Sequence, residues 1–412
     1  MEEWKEYKLK EICLKITDGS HSSPESVPLG YPMFSVKDML ENRFDYTRCK
    51  HISKDDFLKL KKGDCVPQKG DVLVAKDGSF LKQIFVCKET KEECILSSIA
   101  IFRPNRDIIY PDFLSYLLKS PKVYNYIANN CVSGSALPRI ILKDFKEINI
   151  TIPSINIQKK ILNFLLPIDD KIELNRRINE NLEQQAQALF KSWFVDFEPF
   201  KDGKFVDSEL GMIPEGWKVG TLSDIANVTM GQSPKGTSYN ENGEGIVFYQ
   251  GRADFGNRYP SVRLFTTEPT RYADPFSVLL SVRAPVGDIN IAVEKCCIGR
   301  GLASIYSKTG HQSFVLYTMF SLKKELDKFN SEGTVFGSIN RTSIENLRII
   351  IPSIDVIQQF DTLVRSFDIK LFDLFKETEN LKKIRDTLLP KLMSGELKLS
   401  EIDTNLNDHI ND

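Results

Sequence analysis

Two short stretches of this chain carry side chains suited to hydrogen-bonding base edges and phosphates, and they hold matching places. Ser133-Gly134-Ser135 with Arg139 lies just before the last strand expected in the first half; Gly333-Thr334 with Ser338, Asn340 and Arg341 holds the same place in the second. Arginine and lysine offer donors to guanine O6 and N7, and asparagine or glutamine matches adenine N6 and N7. Small hydroxyl residues and glycine let a backbone come close to phosphates. A second set falls where strands are expected to end: Lys76 and Asp77 in the first half and Arg283 in the second, with Gln250 and Arg252 on a glycine-flanked loop. Each side chain taken singly has an ordinary alternative as a solvated surface charge. The matched loops are what point toward contact with DNA.

Motifs for covalent or metal chemistry do not accompany these loops. Gly231-Gln232-Ser233-Pro234-Lys235-Gly236-Thr237-Ser238 has the two glycines of a phosphate loop, but Thr237 stands where the lysine belongs, so a surface loop is expected. Gly243-Glu244-Gly245 lacks the third glycine of a dinucleotide fingerprint and reads as a turn. No Asn/Asp-Pro-Pro-aromatic methyltransferase string occurs, and Asp169-Asp170-Lys171 falls inside an expected coil, where a nuclease centre would be misplaced. His21, His51, His311 and His409 are dispersed and the eight cysteines form no CxxC pair, so no metal site and no disulfide framework is expected. No catalytic residue is assigned. The net charge of −1, even between the halves, lacks the basic excess common in nucleic-acid binders. Local basic patches, or a partner that contributes the positive surface, would reconcile the two.

The elements that must position the loops are written twice. Trp4-Lys5, Leu9 and Ile12 return as Trp217-Lys218, Leu222 and Ile225 at a shift of 213, and Ile152-Pro153-Ser154-Ile155 returns as Ile351-Pro352-Ser353-Ile354 at a shift of 199. A repeat of half the chain means two modules, each of the usual ~100–200-residue domain size. Short β-type runs at 71–75, 84–86 and 99–102 have counterparts at 277–281, 290–293 and 302–306. A short helical stretch follows in each half, with Phe113 and Tyr116 or Phe314 and Tyr317, then a strand and an Ile-Pro that opens a helix.

That terminal helix carries a long apolar seam. Ile161, Leu165, Ile168, Ile172, Leu182, Ala186, Leu189 and Trp193 alternate at spacings of three and four, broken by Asn175 and Asn179. Phe360, Val364, Phe367, Leu371, Leu374, Leu381, Leu388 and Leu392 repeat the series 199 positions on, broken by Thr378 and Arg385. Such a pattern over about five heptads is a coiled-coil seam, and a helix from about 158 to 196 is roughly 58 Å long. If the first helix leads to the second module, the other must return antiparallel to it. The expected fold is therefore α+β: two globular β-rich domains separated by two long helices forming an antiparallel coiled coil, pseudo-two-fold symmetric. Its parts are modules at 1–153 and 217–352, the central helix at 154–200, a linker at 201–216, the C-terminal helix at 353–397 and a flexible tail at 398–412.

Gln187-Ala188-Leu189-Phe190-Lys191-Ser192-Trp193-Phe194-Val195-Asp196-Phe197-Glu198-Pro199, followed by Ser208-Glu209-Leu210-Gly211-Met212-Ile213-Pro214-Glu215-Gly216-Trp217, resembles the central region of type I restriction-modification specificity subunits. Leu388-Leu389-Pro390-Lys391-Leu392-Met393-Ser394-Gly395-Glu396-Leu397 is similar to the same family near its end. The resemblance covers essentially the whole chain, in the order target domain, helix, target domain, helix. It implies a subunit without a catalytic centre whose two target recognition domains read a bipartite sequence in double-stranded DNA. It implies two modification subunits that methylate adenine N6 and two ATP-dependent restriction subunits as partners. S-adenosylmethionine, ATP and magnesium would then belong to those partners, with no cofactor on this chain.

Trp193, Phe194 and Phe197, with the matching Leu392 and Met393, read either as a cap on the coil's end or as a docking surface for a modification subunit. Two rival classes stand beside DNA recognition: a non-DNA coiled-coil scaffold for protein assembly, and a self-sufficient methyltransferase, which the missing motifs disfavour. The longest apolar runs, such as Ile161-Leu162 with Phe164-Leu165-Leu166, stop short of the ~20 residues that span a bilayer, and no signal peptide is visible. No membrane partner and a cytoplasmic location are expected.

Overall fold

A strand buried at every position must be covered on both faces, and each half of the chain has one. The computed structural model, which describes residues 4–78, 82–133, 139–330 and 337–397, places each at the inside of a four-stranded antiparallel sheet. In the first, Cys13–Asp18 (β1), Val72–Ala75 (β2), Ile84–Val86 (β3) and Ile99–Pro104 (β4) run in the order β1-β4-β2-β3. In the second, Ala226–Met230 (β5), Val278–Ser281 (β6), Ile289–Ile291 (β7) and Leu302–Ser307 (β8) run in the order β5-β8-β6-β7. Alternation sends Val72 and Val74 to the main core of the first unit, and Leu73 and Ala75 to a smaller core on the other face. Val278 and Leu280 divide from Leu279 in the same way.

Beside each four-stranded sheet lies a second, containing one parallel pair. Tyr31–Phe34 pairs with Cys94–Ile95 in the first unit, and Ile246–Tyr249 with Cys296–Ile298 in the second. The start and end of each module are zipped together. Lys5–Lys8 pairs antiparallel with Asn149–Ile152, Lys5 facing Ile152, and Lys218–Thr221 pairs with Arg348–Ile351, Lys218 facing Ile351. These registers are the two sequence shifts made physical, and Pro153 and Pro352 then turn the chain into a long helix.

The helices are Ile155–Phe194 (α1) and Ile354–Ser394 (α2), 40 and 41 residues long, so α1 rises about 60 Å. Two compact units form. One runs to Leu174 and takes in the chain from Thr378 onward; the other is Asn175–Glu377. In the first unit Asp169 of α1 meets Arg385 of α2; in the second Asn175 donates to Glu377 (2.8 Å), and Phe190 and Phe194 pack on Phe360. Early residues of α1 thus meet late residues of α2 and the reverse, which is the antiparallel pairing the seam demands. Ile161, Leu165, Ile172, Phe360, Val364, Leu371 and Leu374 are buried, and Ile168, Leu182, Leu189, Phe367, Leu381 and Leu388 partly so. Burying each large side chain fully contributes about 1.5–3 kcal/mol.

The helix ends belong to the modules' own cores. Ile161, Leu165 and Leu392 join the first, and Ala186, Phe360 and Val364 the second. This removes the docking alternative for Phe194, Leu392 and Met393, which are buried, while Trp193 and Phe197 stay partly exposed. Phe194 is buried, Trp193 packs against Phe200 and Phe360, and Phe197 against Phe205 and Trp217. Leu392 and Met393 are buried in the first unit's core. Side chains that already fill a core cannot meet a partner without opening it.

All eight cysteines are free thiols. Burial pushes Cys13, Cys94 and Cys296 up to about 12, leaving them neutral and unreactive. Among the described residues, no group of histidines, cysteines and carboxylates is disposed to hold a metal ion, and no helix is long and apolar enough to cross a membrane. The tail at 398–412 lies outside the described residues.

Candidate nucleic-acid interface

The two sets of sequence candidates meet, in the same way in both units. Where β2 ends, the Lys76 amide donates to the Ser98 carbonyl (3.0 Å), the Lys76 carbonyl accepts from the Ile140 amide (2.9 Å), and Asp77 bridges to Arg139. Where β6 ends, the Val282 amide donates to Gly301 (3.0 Å), the Val282 carbonyl accepts from Ile339 (3.1 Å), and Arg283 bridges to Ser338. Lys76 therefore corresponds to Val282, Asp77 to Arg283 and Arg139 to Ser338. One backbone frame carries different functional groups in its two copies.

The side chains at this frame differ in how free they are. Lys76 is 5 % exposed, and its ammonium lies 3.0 Å from Asp18. Its sequence reading as a DNA contact is corrected: the charge neutralises a carboxylate beneath the strand end, because neither ion is tolerated there alone. Arg139 is 65 % exposed, with Nε 3.2 Å from Asp77, and Ser133 faces it across a two-residue ladder. Arg283 and Ser338 are exposed, and beyond their backbone bridge Arg283 makes no side-chain ion pair among the described residues. Asn340 caps the short helix Arg341–Glu345 by accepting from the Ser343 amide (2.9 Å), while exposed Arg341 pairs with Glu345 (2.8 Å). Gly134, Ser135, Gly333 and Thr334 lie outside the described residues.

The Gln250–Arg252 loop is held from below. The Asp254 carboxylate, 2 % exposed, accepts from the Gln250 and Gly251 amides (2.7 and 3.2 Å), as Asp38 accepts from the Ser35 amide (2.8 Å) in the first unit. Gln250 is exposed; Arg252 is too, though its Nε donates to Asp288 (2.6 Å). Burial alone would raise the Asp288 carboxyl, but hydrogen bonds from Arg252 and Lys323 outweigh it and hold the group below the usual carboxylate range.

Glycines let three loops converge beside Arg283. A Cβ on Gly231 would fall 2.2 Å from the Gly299 carbonyl oxygen, and one on Gly301 3.0 Å from that of Gln250. A side chain at Gly231 would collide with backbone and one at Gly301 would be tight, so 231–233, 250–252 and 299–301 lie together. This exposes two residues that sequence reasoning passed over. Arg300 is exposed between two glycines, its amide donating to the Ser233 hydroxyl (3.3 Å), and Gln232 belongs to the loop read only as a failed phosphate motif. The Gly-Arg-Gly string was a usable signal. Gly19 occupies the place of Gly231 in the first unit, against the Ile95 carbonyl, and leads into exposed His21. The second edge offers guanidinium and amide donors for guanine or adenine; the first offers one arginine and a carboxylate able to accept from cytosine N4.

The type I restriction modification DNA specificity domain matches this chain twice, over residues 1–184 and 214–381. A Methanocaldococcus jannaschii chain, provisionally named as the specificity subunit of type I restriction enzyme MjaX, is 31% identical over 97% of this chain and 94% of its own length. The HindI type I specificity subunit of Haemophilus influenzae is 27% identical over 96% of this chain and all of its own. The chain belongs to the family of type I restriction-modification specificity subunits. In these systems the catalytic activities sit on other subunits. The S subunit from M. genitalium shares the fold, with a TM-score of 0.57 across 95% of this chain and 96% of that one at 19% identity.

Proposed function

We propose that this specificity subunit reads a two-part DNA target, one part at the edge around Asp77 and Arg139 and the other at the edge around Arg283 and Ser338. The carrying observation is the shared bridge with unlike side chains. Equal frames present equivalent positions to a duplex, and unlike groups on them select different bases. The paired helices act as the spacer, and α1 at about 60 Å exceeds one ~34 Å turn of B-DNA. Pseudo-two-fold placement of the modules would face them to half-sites of opposite orientation.

On this reading the chain binds no cofactor itself. It presents the target to two modification subunits that use S-adenosylmethionine on adenine N6, and recruits two restriction subunits that use ATP and magnesium, in the cytoplasm. With a net charge of −1, part of the phosphate-neutralising surface is supplied by the modification subunits. Methylation mapping of the assembled methyltransferase tests it. Exchange of one module for that of a relative should change one half-site only; change of both, or of neither, overturns the reading. Gel shifts across salt should show sequence-selective binding, which a protein-assembly scaffold would not.

A further inference from the structure

The Asp169 that fits no catalytic role has a counterpart 199 positions on, Asp368, and the surroundings match. On α1, Asp169 accepts from the Tyr116 hydroxyl (2.5 Å) and from Arg385 (2.9 Å). On α2, Asp368 accepts from the Tyr317 hydroxyl (3.0 Å) and from Arg258 (2.5 Å), and Arg258 also reaches Glu183 of α1. Both tyrosines come from the module's own helix, Pro111–Lys119 or Gln312–Ser321. Each module is therefore joined to the helices at a tyrosine, a carboxylate and an arginine.

Each junction also continues to a loop held from below by a buried aspartate, Asp254 or Asp38. The segment from Gln250 through Arg252 ends at Arg258, whose carbonyl accepts from the Ile291 amide (2.9 Å) and whose guanidinium side chain is only 11 % exposed. In the first unit the loop held by Asp38 runs on to Glu41, 3.6 Å from Arg385. The connection differs between the units: in the second the loop's Arg258 meets Asp368 directly, and in the first the loop's Glu41 meets Arg385, which in turn binds Asp169.

We propose that Asp169 and Asp368 are positioning residues for target recognition: each fixes its reading loop and module on the paired helices at one angle, and so sharpens the permitted gap between half-sites. The inference rests on the two-part reading above. Apolar packing between module and helix tolerates small rotations and slides, whereas a largely shielded ion pair with a hydroxyl donor, its side chains 11–21 % exposed, is satisfied in one geometry. Such a cluster adds little net stability over apolar side chains of the same shape, and its recurrence with changed partners suits a role in geometry.

The test uses the full chain assembled with its modification subunits, and DNAs with fixed half-sites and gaps from two base pairs shorter to two longer. Asp368→Asn keeps the shape and removes the charge; Asp373→Asn, exposed on α2 and paired with Lys376 among the described residues, is the control. Asp368→Asn should lower the preference for the native gap over its neighbours by about tenfold, with half-site sequences unchanged. A gap profile equal to that of the control, or an altered half-site sequence, overturns the proposal. If Asp368→Asn does not fold, Tyr317→Phe takes its place: a partial broadening supports the proposal and an unchanged profile overturns it. A wild-type complex without any gap preference would instead overturn the two-part reading beneath it.

Discussion

Arg283→Ala removes the exposed guanidinium at the second unit's bridge, and its effect should fall on DNA alone. Arg283 makes no ion pair among the described residues, so the cost to folding stays within about 0.5 kcal/mol. A bidentate contact to a base is worth about 1–3 kcal/mol, a factor of roughly 5 to 150 at 25 °C. Arg139 and Arg252 should lose less, because each already holds a carboxylate, Asp77 or Asp288, that a base must displace or share. That offset is about 0–1 kcal/mol for exposed pairs. The assay is competition binding by the assembled methyltransferase against DNAs substituted one position at a time, at several salt concentrations. A base contact predicts relaxed preference at one position of one half-site with an unchanged salt slope. A phosphate contact predicts uniform loss and a slope shallower by about 0.9. Binding, preference and slope all equal to wild type would refute the assignment, as would relaxation confined to the half-site read by the first module.

Asp77→Asn should tighten DNA binding, by up to about 1 kcal/mol, by freeing Arg139 and removing a negative charge from the same edge; weaker binding with unchanged folding would mark Asp77 as a base acceptor. Lys76→Met should destabilise the first unit by up to about 3 kcal/mol, leaving Asp18, 11 % exposed, with only His21 beside it, and thermal unfolding reads this directly. An unchanged melting curve with impaired DNA binding would restore Lys76 to the contact surface. One heptad inserted after Leu174 and another after Glu377 lengthens each helix by about 10.5 Å, or up to about three base-pair steps of 3.4 Å; methylation mapping that returns the original gap refutes the ruler. Leu165→Ala and Leu371→Ala, both at fully buried seam positions, should each cost about 2–5 kcal/mol in denaturant unfolding; losses below 1 kcal/mol would show that the seam is not packed.

Local pattern was the legible part of this chain. A three-four alternation depends only on helix geometry, so Ile161 through Trp193 and Phe360 through Leu392 showed their buried faces without any knowledge of what covers them. The β-type runs at 71–75 and 277–281 likewise announced strands, and only the fold showed that both of their faces are covered. At the candidate site the residue types were legible but their freedom was not. Lys76 follows a strand and has the character of a surface charge until Asp18, some sixty positions earlier, is folded beneath it. Arg300 and Gln232 gained significance only when Gly231 and Gly301 allowed their loops to touch.

The sequence by itself determined the duplication, the order of sheet and helix, the seam and the family, because each is written in spacings along one stretch of chain. Tertiary structure alone decided that Asp77 meets Arg139 and Arg283 meets Ser338, that Phe194, Leu392 and Met393 face inward, and that Asp169 and Asp368 anchor matching clusters. Those are encounters between residues tens to hundreds of positions apart. They depend on the closure of whole sheets and the antiparallel return of a helix, which no local spacing encodes.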